Sequence, residues 1–177
     1  QYSSRYDRYL AHDVAPAFDP SLSGGVLYDL NVYNLSLIAA LFGRPQSAVY
    51  TANIGFNGID TSGVMTLRYN GFVATAAAAK DSSSPSFFMI QGESGWIRAD
   101  GPPNELTSFT VGLRGREEKT YALNRHAHRM VHEFEAMRDI FARKDYMSVE
   151  EGLQISRMVI ALMEKARLVA GIQFRVD

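Results

Sequence analysis

Gly24-Gly25-Val26-Leu27-Tyr28-Asp29-Leu30-Asn31-Val32-Tyr33-Asn34-Leu35-Ser36-Leu37-Ile38-Ala39-Ala40-Leu41-Phe42-Gly43 is the stretch that organises this chain. From Val26 to Phe42 it is apolar nearly all round, which predicts a helix buried on most sides. The glycine pair before it allows a tight turn or a close backbone approach. Gly43-Arg44-Pro45 supplies the stop, glycine at the end and proline beyond. At about 100° per residue, Asp29, Tyr33 and Ser36 fall along one line, while Asn31 and Asn34 lie on another side. Burying an unpaired carboxylate is expensive, so that line needs either a partner or a function.

Outward from this helix the text changes to strands. Ser47–Ile54, Gly63–Tyr69, Phe72–Ala79, Ser86–Gln91, Trp96–Ala99, Leu106–Leu113 and Lys119–Leu123 are the candidates. Short turns such as Asn57-Gly58, Asn70-Gly71 and Arg114-Gly115 separate them, so successive strands pair antiparallel. Two helices close the chain. Asn124 is placed to cap the first, where Met130, Phe134, Met137 and Phe141 recur at helical spacing. Ser148-Val149-Glu150-Glu151 has the form of a capping box for the second, whose inward face carries Val159, Met163 and Ala166. Upstream, the aromatic residues 1–9 suit an extended segment, and Ala11 to Ser23 reads as a connector.

Both sides of Phe72–Ala79 are apolar, as they are in Phe87–Ile90, whereas a one-sided antiparallel sheet alternates with polar residues. The reading is therefore a single α+β domain over residues 1–177. An open, mostly antiparallel β-sheet carries helices on one face, and the other face is available for homo-oligomerisation.

A formal net charge of −1 gives no electrostatic reason to expect nucleic acid or an anionic membrane surface as partner. The chain has no cysteine, which excludes a disulfide scaffold, thiol catalysis and thiolate-bound metal and fits a cytoplasmic protein. No run reads as a membrane span and no signal peptide opens the chain. It begins at Gln1 with structure already under way, so a longer parent protein is expected.

No G-x-G-x-x-G or Walker sequence occurs, so no nucleotide cofactor is expected in this chain alone. His128 and His132 are four apart and near His126, but the glutamate of a zincin motif is missing and no metal is expected. G-x-S-x-G is absent as well. Asn53, Asn57 and Asp60 read as turn formers beside Gly55 and Gly58, and Trp96 as a core residue. Asp29 and Tyr33 remain open between two readings. In one, a buried phenol bonds a helical neighbour; in the other, Tyr33 exchanges a proton with a bound carbonyl or alcohol. A free tyrosine titrates near ~10, and a neighbouring carboxylate raises that, so catalysis would need a cation close by. None of Lys80, Lys119, Lys144 and Lys165 is adjacent in sequence.

Gly24-Gly25-Val26-Leu27-Tyr28-Asp29-Leu30-Asn31-Val32-Tyr33 with Leu41-Phe42-Gly43-Arg44-Pro45 resembles the start of the C-terminal domain of the Gfo/Idh/MocA oxidoreductases. Gly58-Ile59-Asp60-Thr61-Ser62-Gly63, Gln91 to Ile97 and Ala166 to Phe174 extend the resemblance along nearly the whole chain. It implies an N-terminal Rossmann domain, absent from this chain, that binds NAD or NADP and carries the catalytic lysine of a Glu-Lys-Pro motif. It further implies oxidation of a CH–OH group of a sugar, inositol or related alcohol, and an isolated chain without activity. By resemblance, Tyr33 relays the hydroxyl proton and Asp29 orients the substrate or Tyr33. Tyrosine at this position matches the branch that includes glucose–fructose oxidoreductase and dimeric dihydrodiol dehydrogenase. Arg5 and His128 are further candidates for substrate contact, on their polar character. The alternative is a non-catalytic member that senses a sugar or acts as a scaffold.

Overall fold

The computed structural model describes residues 4–122 and 124–174. The chain divides into two compact units, one running to Ser84 and resuming at Gly152, the other spanning Pro85–Glu151.

The first unit opens with helix α1 (Ser4–Leu10) and two 3-10 turns, Pro16–Phe18 and Pro20–Leu22. The extended segment expected over residues 1–9 is thus helical from Ser4; its first three residues lie outside the described ones. Tyr6 and Tyr9 are three apart, so a helix puts both rings on one face. Tyr9 stacks on Phe18 at 5.0 Å and on Phe56 at 4.4 Å between ring centroids, forming a small satellite core with Ile59. The aromatic content that suggested a strand is what packs the helix.

A π-helical turn, Leu27–Asn31, then runs into α2 (Val32–Phe42). Strands β1 (Ser47–Ile54), β2 (Asp60–Arg68) and β3 (Val73–Ala79) form an antiparallel meander. Gly71, at φ +88°, makes the expected turn between β2 and β3, where the Tyr69 amide donates to Phe72 O. Alternation sends Tyr50, Met65, Leu67 and Ala76 to the face covered by helices. There they meet Leu27, Leu35 and Ala39, and Val159, Met163 and Ala166 of α4 (Tyr146–Val169), the three residues expected to face inward. Each fully buried large side chain of this set stabilises the fold by roughly 1.5–3 kcal/mol before entropy is counted. On the opposite face Val49, Val64 and Val73 are exposed.

The organising helix is not buried on most sides. Asp29, Tyr33, Leu41 and Phe42 are exposed, because only one stripe of it meets the sheet. Residues Pro20–Phe42 also meet the length and hydropathy of a bilayer span, contrary to the sequence reading. Here Val26, Leu27 and Leu35 of that stretch are core residues, each at most 1% exposed.

The second unit holds β4 (Phe87–Gly92), β5 (Gly95–Asp100), β6 (Ser108–Leu113) and β7 (Lys119–Ala122), again antiparallel in sequence order. All seven expected strands exist, with Leu123 outside the described residues. They pair as a three-stranded and a four-stranded sheet rather than one. The break falls at Asp81-Ser82-Ser83-Ser84-Pro85, a polar run ending in proline that offers no ladder. Trp96 lies over Gly112, where a Cβ would sit 2.4 Å from the indole, so the glycine makes room for the ring.

Helix α3 (Met130–Arg143) has the expected period, yet Phe134, Met137 and Phe141 are exposed. Asn124 does not cap α3; its amide donates instead to Leu106 O. The cap at the start of α4 is Asp145, which accepts from the Ser148 amide and hydroxyl at 3.1 and 2.9 Å. Ser148 therefore lies inside the helix, three residues later than the capping box required.

Candidate functional site

The first amides of a helix have no intrahelical acceptor. Here the Leu27 amide donates to Asp60 Oδ2 at 2.8 Å, and the Tyr50 hydroxyl donates to the same oxygen at 2.5 Å. Asp60 is therefore a cap reaching from β2, not a turn former. Its carboxyl is 2% exposed, and burial pushes its pKa up. The bonds from Tyr50 and Leu27 and the charge of Lys80 act against that shift. Burial also drives the Tyr50 phenol well above its ordinary range, with the Asp60 charge adding to it.

The glycine pair fits around this carboxylate. A Cβ on Gly25 would lie 2.1 Å from Asp60 Oδ1, at a φ of +131°. One on Gly24 would meet the Asp19 backbone at 2.5 Å. Asn31, fully buried, donates to Ala76 O at 3.2 Å, and Asn34 bonds Asn31 and Ala77 O. These amides fix the helix to β3, which explains the second polar line.

The first line faces outward. Asp29 sits within the π-helical turn, and its Oδ2 pairs with Lys80 Nζ at 2.9 Å. The lysine side chain is 4% exposed and the aspartate 49%. Lys80 Nζ also donates to Ala17 O at 2.7 Å and lies 4.7 Å over the Phe18 ring. Tyr33, one helical turn past Asp29, is 46% exposed, and its hydroxyl has no hydrogen-bond partner among the described residues. The reading of a sealed phenol bonded to its neighbour is thus not what the structure contains. An open carboxylate backed by a buried ammonium, with a free phenol about 5–6 Å along at the Cβ level, can accept and donate to adjacent hydroxyls.

Of the two other candidates, Arg5 is exposed on α1, in the first unit with Asp29 and Tyr33. His128 is exposed in the second unit, where its Nδ1 accepts from the Met130 amide at 3.3 Å. Asn57 is structural: it accepts from the Tyr9 hydroxyl and donates to Phe18 O, both at 2.8 Å.

His126 and His132 approach Glu135, with His126 Nε2 3.0 Å and His132 Nδ1 3.9 Å from Glu135 Oε2. The Arg125 amide donates to His132 Nε2 at 3.3 Å, so the neutral ring carries its proton on Nδ1, toward the glutamate. His126 and Glu135 form a hydrogen-bonded clip at the start of α3, with His132 beside it. Lys80 is the residue that sequence reasoning missed, since it lies 51 residues from Asp29; only the β2–β3 pairing brings it there.

Residues 1–98 match the GFO/IDH/MocA C-terminal domain. The chain is 31% identical over all 177 residues to the uncharacterized oxidoreductase YgjR of Escherichia coli (strain K12), covering 53% of that protein. It is equally 31% identical over 177 residues to the scyllo-inositol 2-dehydrogenase (NADP(+)) IolU of Bacillus subtilis (strain 168), covering 54% of it. The chain therefore spans about half the length of the curated relatives it matches. UDP-N-acetylglucosamine 3-dehydrogenase GnnA from Acidithiobacillus ferrooxidans shares the fold, with a TM-score of 0.63 at 19% identity over 85% of this chain and 48% of that one.

Proposed function

The chain belongs to the GFO/IDH/MocA family of oxidoreductases as its C-terminal domain, and from that premise we propose that it is the substrate-holding half of an NAD(P)-dependent dehydrogenase. The substrate class is a sugar, inositol or related alcohol oxidised at a CH–OH group. The observation that carries this is the open Asp29–Lys80 pair one helical turn from the exposed Tyr33 phenol.

The residues present do not fit a coenzyme. At the helix start after Gly24-Gly25 the Asp60 carboxylate already takes the Leu27 amide and repels phosphate. NAD or NADP is assigned to a preceding Rossmann domain of the parent protein, where the nicotinamide would supply the hydride chemistry. This chain's share is the hydroxyl and its proton. Asp29 accepts a hydrogen bond from a substrate hydroxyl and fixes its orientation. Tyr33 takes up or returns the proton of the reacting hydroxyl, assisted by the lysine that the resemblance assigns to the other domain.

The exposed valines of the β1–β3 sheet support self-association of the parent protein through that face, which light scattering would test. A cytoplasmic location remains part of the proposal.

The test uses the full-length protein, screened for nicotinamide reduction over a panel of sugars and inositols. Tyr33→Phe is expected to lower turnover by roughly 10²–10⁴-fold with an unchanged melting temperature. A Tyr33→Phe enzyme with full turnover refutes the assignment. Coenzyme binding without turnover of any panel member would favour the sensing alternative instead.

A further inference from the structure

We infer that Lys80 is a positioning residue: it holds the Asp29 carboxylate in place for substrate and does not touch substrate itself. The inference rests on the reading of Asp29 given above. An ammonium has three donors and no acceptor. One N–H of Lys80 goes to Asp29 Oδ2 and one to Ala17 O, and the group lies against the face of Phe18. With the side chain 4% exposed, no donor is left for a substrate phosphate or hydroxyl.

The lysine is itself held from several sides. Its own amide donates to Thr61 O at 2.8 Å, extending the β2–β3 ladder by one bond. Its neighbour Asp81 accepts from the Thr61 and Ser62 hydroxyls, both at 2.8 Å. Ala17 O accepts the Gly25 amide at 3.0 Å as well as Lys80, so the carbonyl under the ammonium is tied to the turn that starts the helix. Lys80 therefore links the 3-10 turn, the end of β3 and the π-helical turn at one atom.

The Asp29 carboxylate has no other partner among the described residues, so its exposed oxygen points where it does because Oδ2 is anchored. A buried ammonium needs a counter-ion, so the pair also serves the fold, as the Glu164–Arg167 pair does; what a purely structural pair does not require is that the carboxylate stand half open to solvent. As orientation of an acceptor that exposure has a purpose.

Because Asp29 grips a non-reacting hydroxyl in ground and transition states alike, loss of its anchor weakens uniform binding. In the full-length enzyme Lys80→Met is expected to raise KM by about tenfold or more, with kcat within about threefold of wild type. Asp29→Asn is expected to do the same, and the double variant to be no worse than Asp29→Asn alone. Lys80→Gln keeps a donor for Ala17 O and serves if Lys80→Met fails to fold. Equal additive losses, or an unchanged KM in the lysine variants beside a raised KM in Asp29→Asn, overturn the inference and leave the Asp29 reading standing. An unchanged KM in Asp29→Asn overturns both. Independently of turnover, the shielded Lys80 ammonium should give its own ¹⁵N-attached proton signal in the intact protein, displaced by Asp29→Asn. A signal indifferent to that substitution overturns the pairing.

Discussion

Removing the Asp60 carboxylate tests how the helix that bears the site is started. Asp60→Ala leaves two buried donors without an acceptor, the Leu27 amide and the Tyr50 hydroxyl, at residues 0% and 4% exposed. A hydrogen bond to a charged group contributes about 1.5–3 kcal/mol, so the two together amount to roughly 3–6 kcal/mol. Against this, the substitution relieves the burial of a carboxylate, the cause of its raised pKa. The expected net loss is about 3 kcal/mol, a large share of the ~5–15 kcal/mol typical of a domain. Urea unfolding followed by circular dichroism measures it.

Tyr50→Phe alone should cost about 1–2 kcal/mol, and the double variant less than the sum, since phenylalanine leaves no hydroxyl stranded. The pH dependence has a definite sign. Asp60 holds its proton longer in the folded chain than in the unfolded one. Its contribution is therefore full below the unfolded value near ~3.9 and is lost as pH rises through the folded value. The stability difference between wild type and Asp60→Asn should accordingly shrink as pH rises from about 4. Asp81 provides the opposite control. Burial would raise its pKa, but the hydroxyls of Thr61, Ser62 and Ser82 outweigh burial and hold it low, so its contribution is lost as pH falls. An Asp60→Ala chain within about 1 kcal/mol of wild type, or a strictly additive pair with Tyr50→Phe, would refute the cap.

Other substitutions follow from the same contacts. Gly25→Ala drives a methyl to within 2.1 Å of Asp60 Oδ1 at a φ of +131°, so it should cost at least about 2 kcal/mol in the same unfolding assay. Glu164→Ala takes a carboxylate from Arg167, a buried guanidinium that also donates to Ile172 O, and from the Tyr28 hydroxyl. Glu164 is half exposed, so the loss should be about 2 kcal/mol by urea unfolding. In that variant the Tyr28 phenol, pushed up to about 12 by burial and then by Glu164, should titrate earlier by absorbance. Gly112→Ala closes the space under Trp96 and should shift the fluorescence of the chain's one tryptophan, with a destabilisation of about 1–3 kcal/mol.

The seven strands were legible because each announces itself within eight or so residues, by alternation and a turn residue at its end. The same holds for the inward face of α4, where Val159, Met163 and Ala166 keep the helical period. What local reading misjudged was direction and company. A helix apolar on nearly every side gives no clue to which stripe meets the sheet, so the sequence leaves Tyr33 and Asp29 open between a buried and a substrate-facing place, and they lie on its open side. The residues that decide the matter are Asn31 and Asn34, whose amides seek carbonyls of β3 and thereby turn Asp29 and Tyr33 outward. The two polar lines on the helix are complementary: one is the anchor, the other what the anchor presents.

The cation beside Asp29 comes from the far end of a hairpin, well outside its sequence neighbourhood. Lys80 follows a run of alanines that carries no polar information of its own, and its partners come from three separate segments: Ala17 and Phe18, Asp29, and Thr61. No window of sequence contains that arrangement, because the β2–β3 register creates it. The π-helical turn at Leu27–Asn31 belongs to the same class of feature. Its wider turn begins where Asp60 draws in the Leu27 amide and includes Asp29, the residue Lys80 holds. One carboxylate starts the irregular turn from within the core and a second is displayed from it to solvent, with a single ammonium near both. The polar geometry of the candidate site is thus fixed by tertiary contacts, and that is why composition and spacing could name Asp29 and Tyr33 but not what holds them.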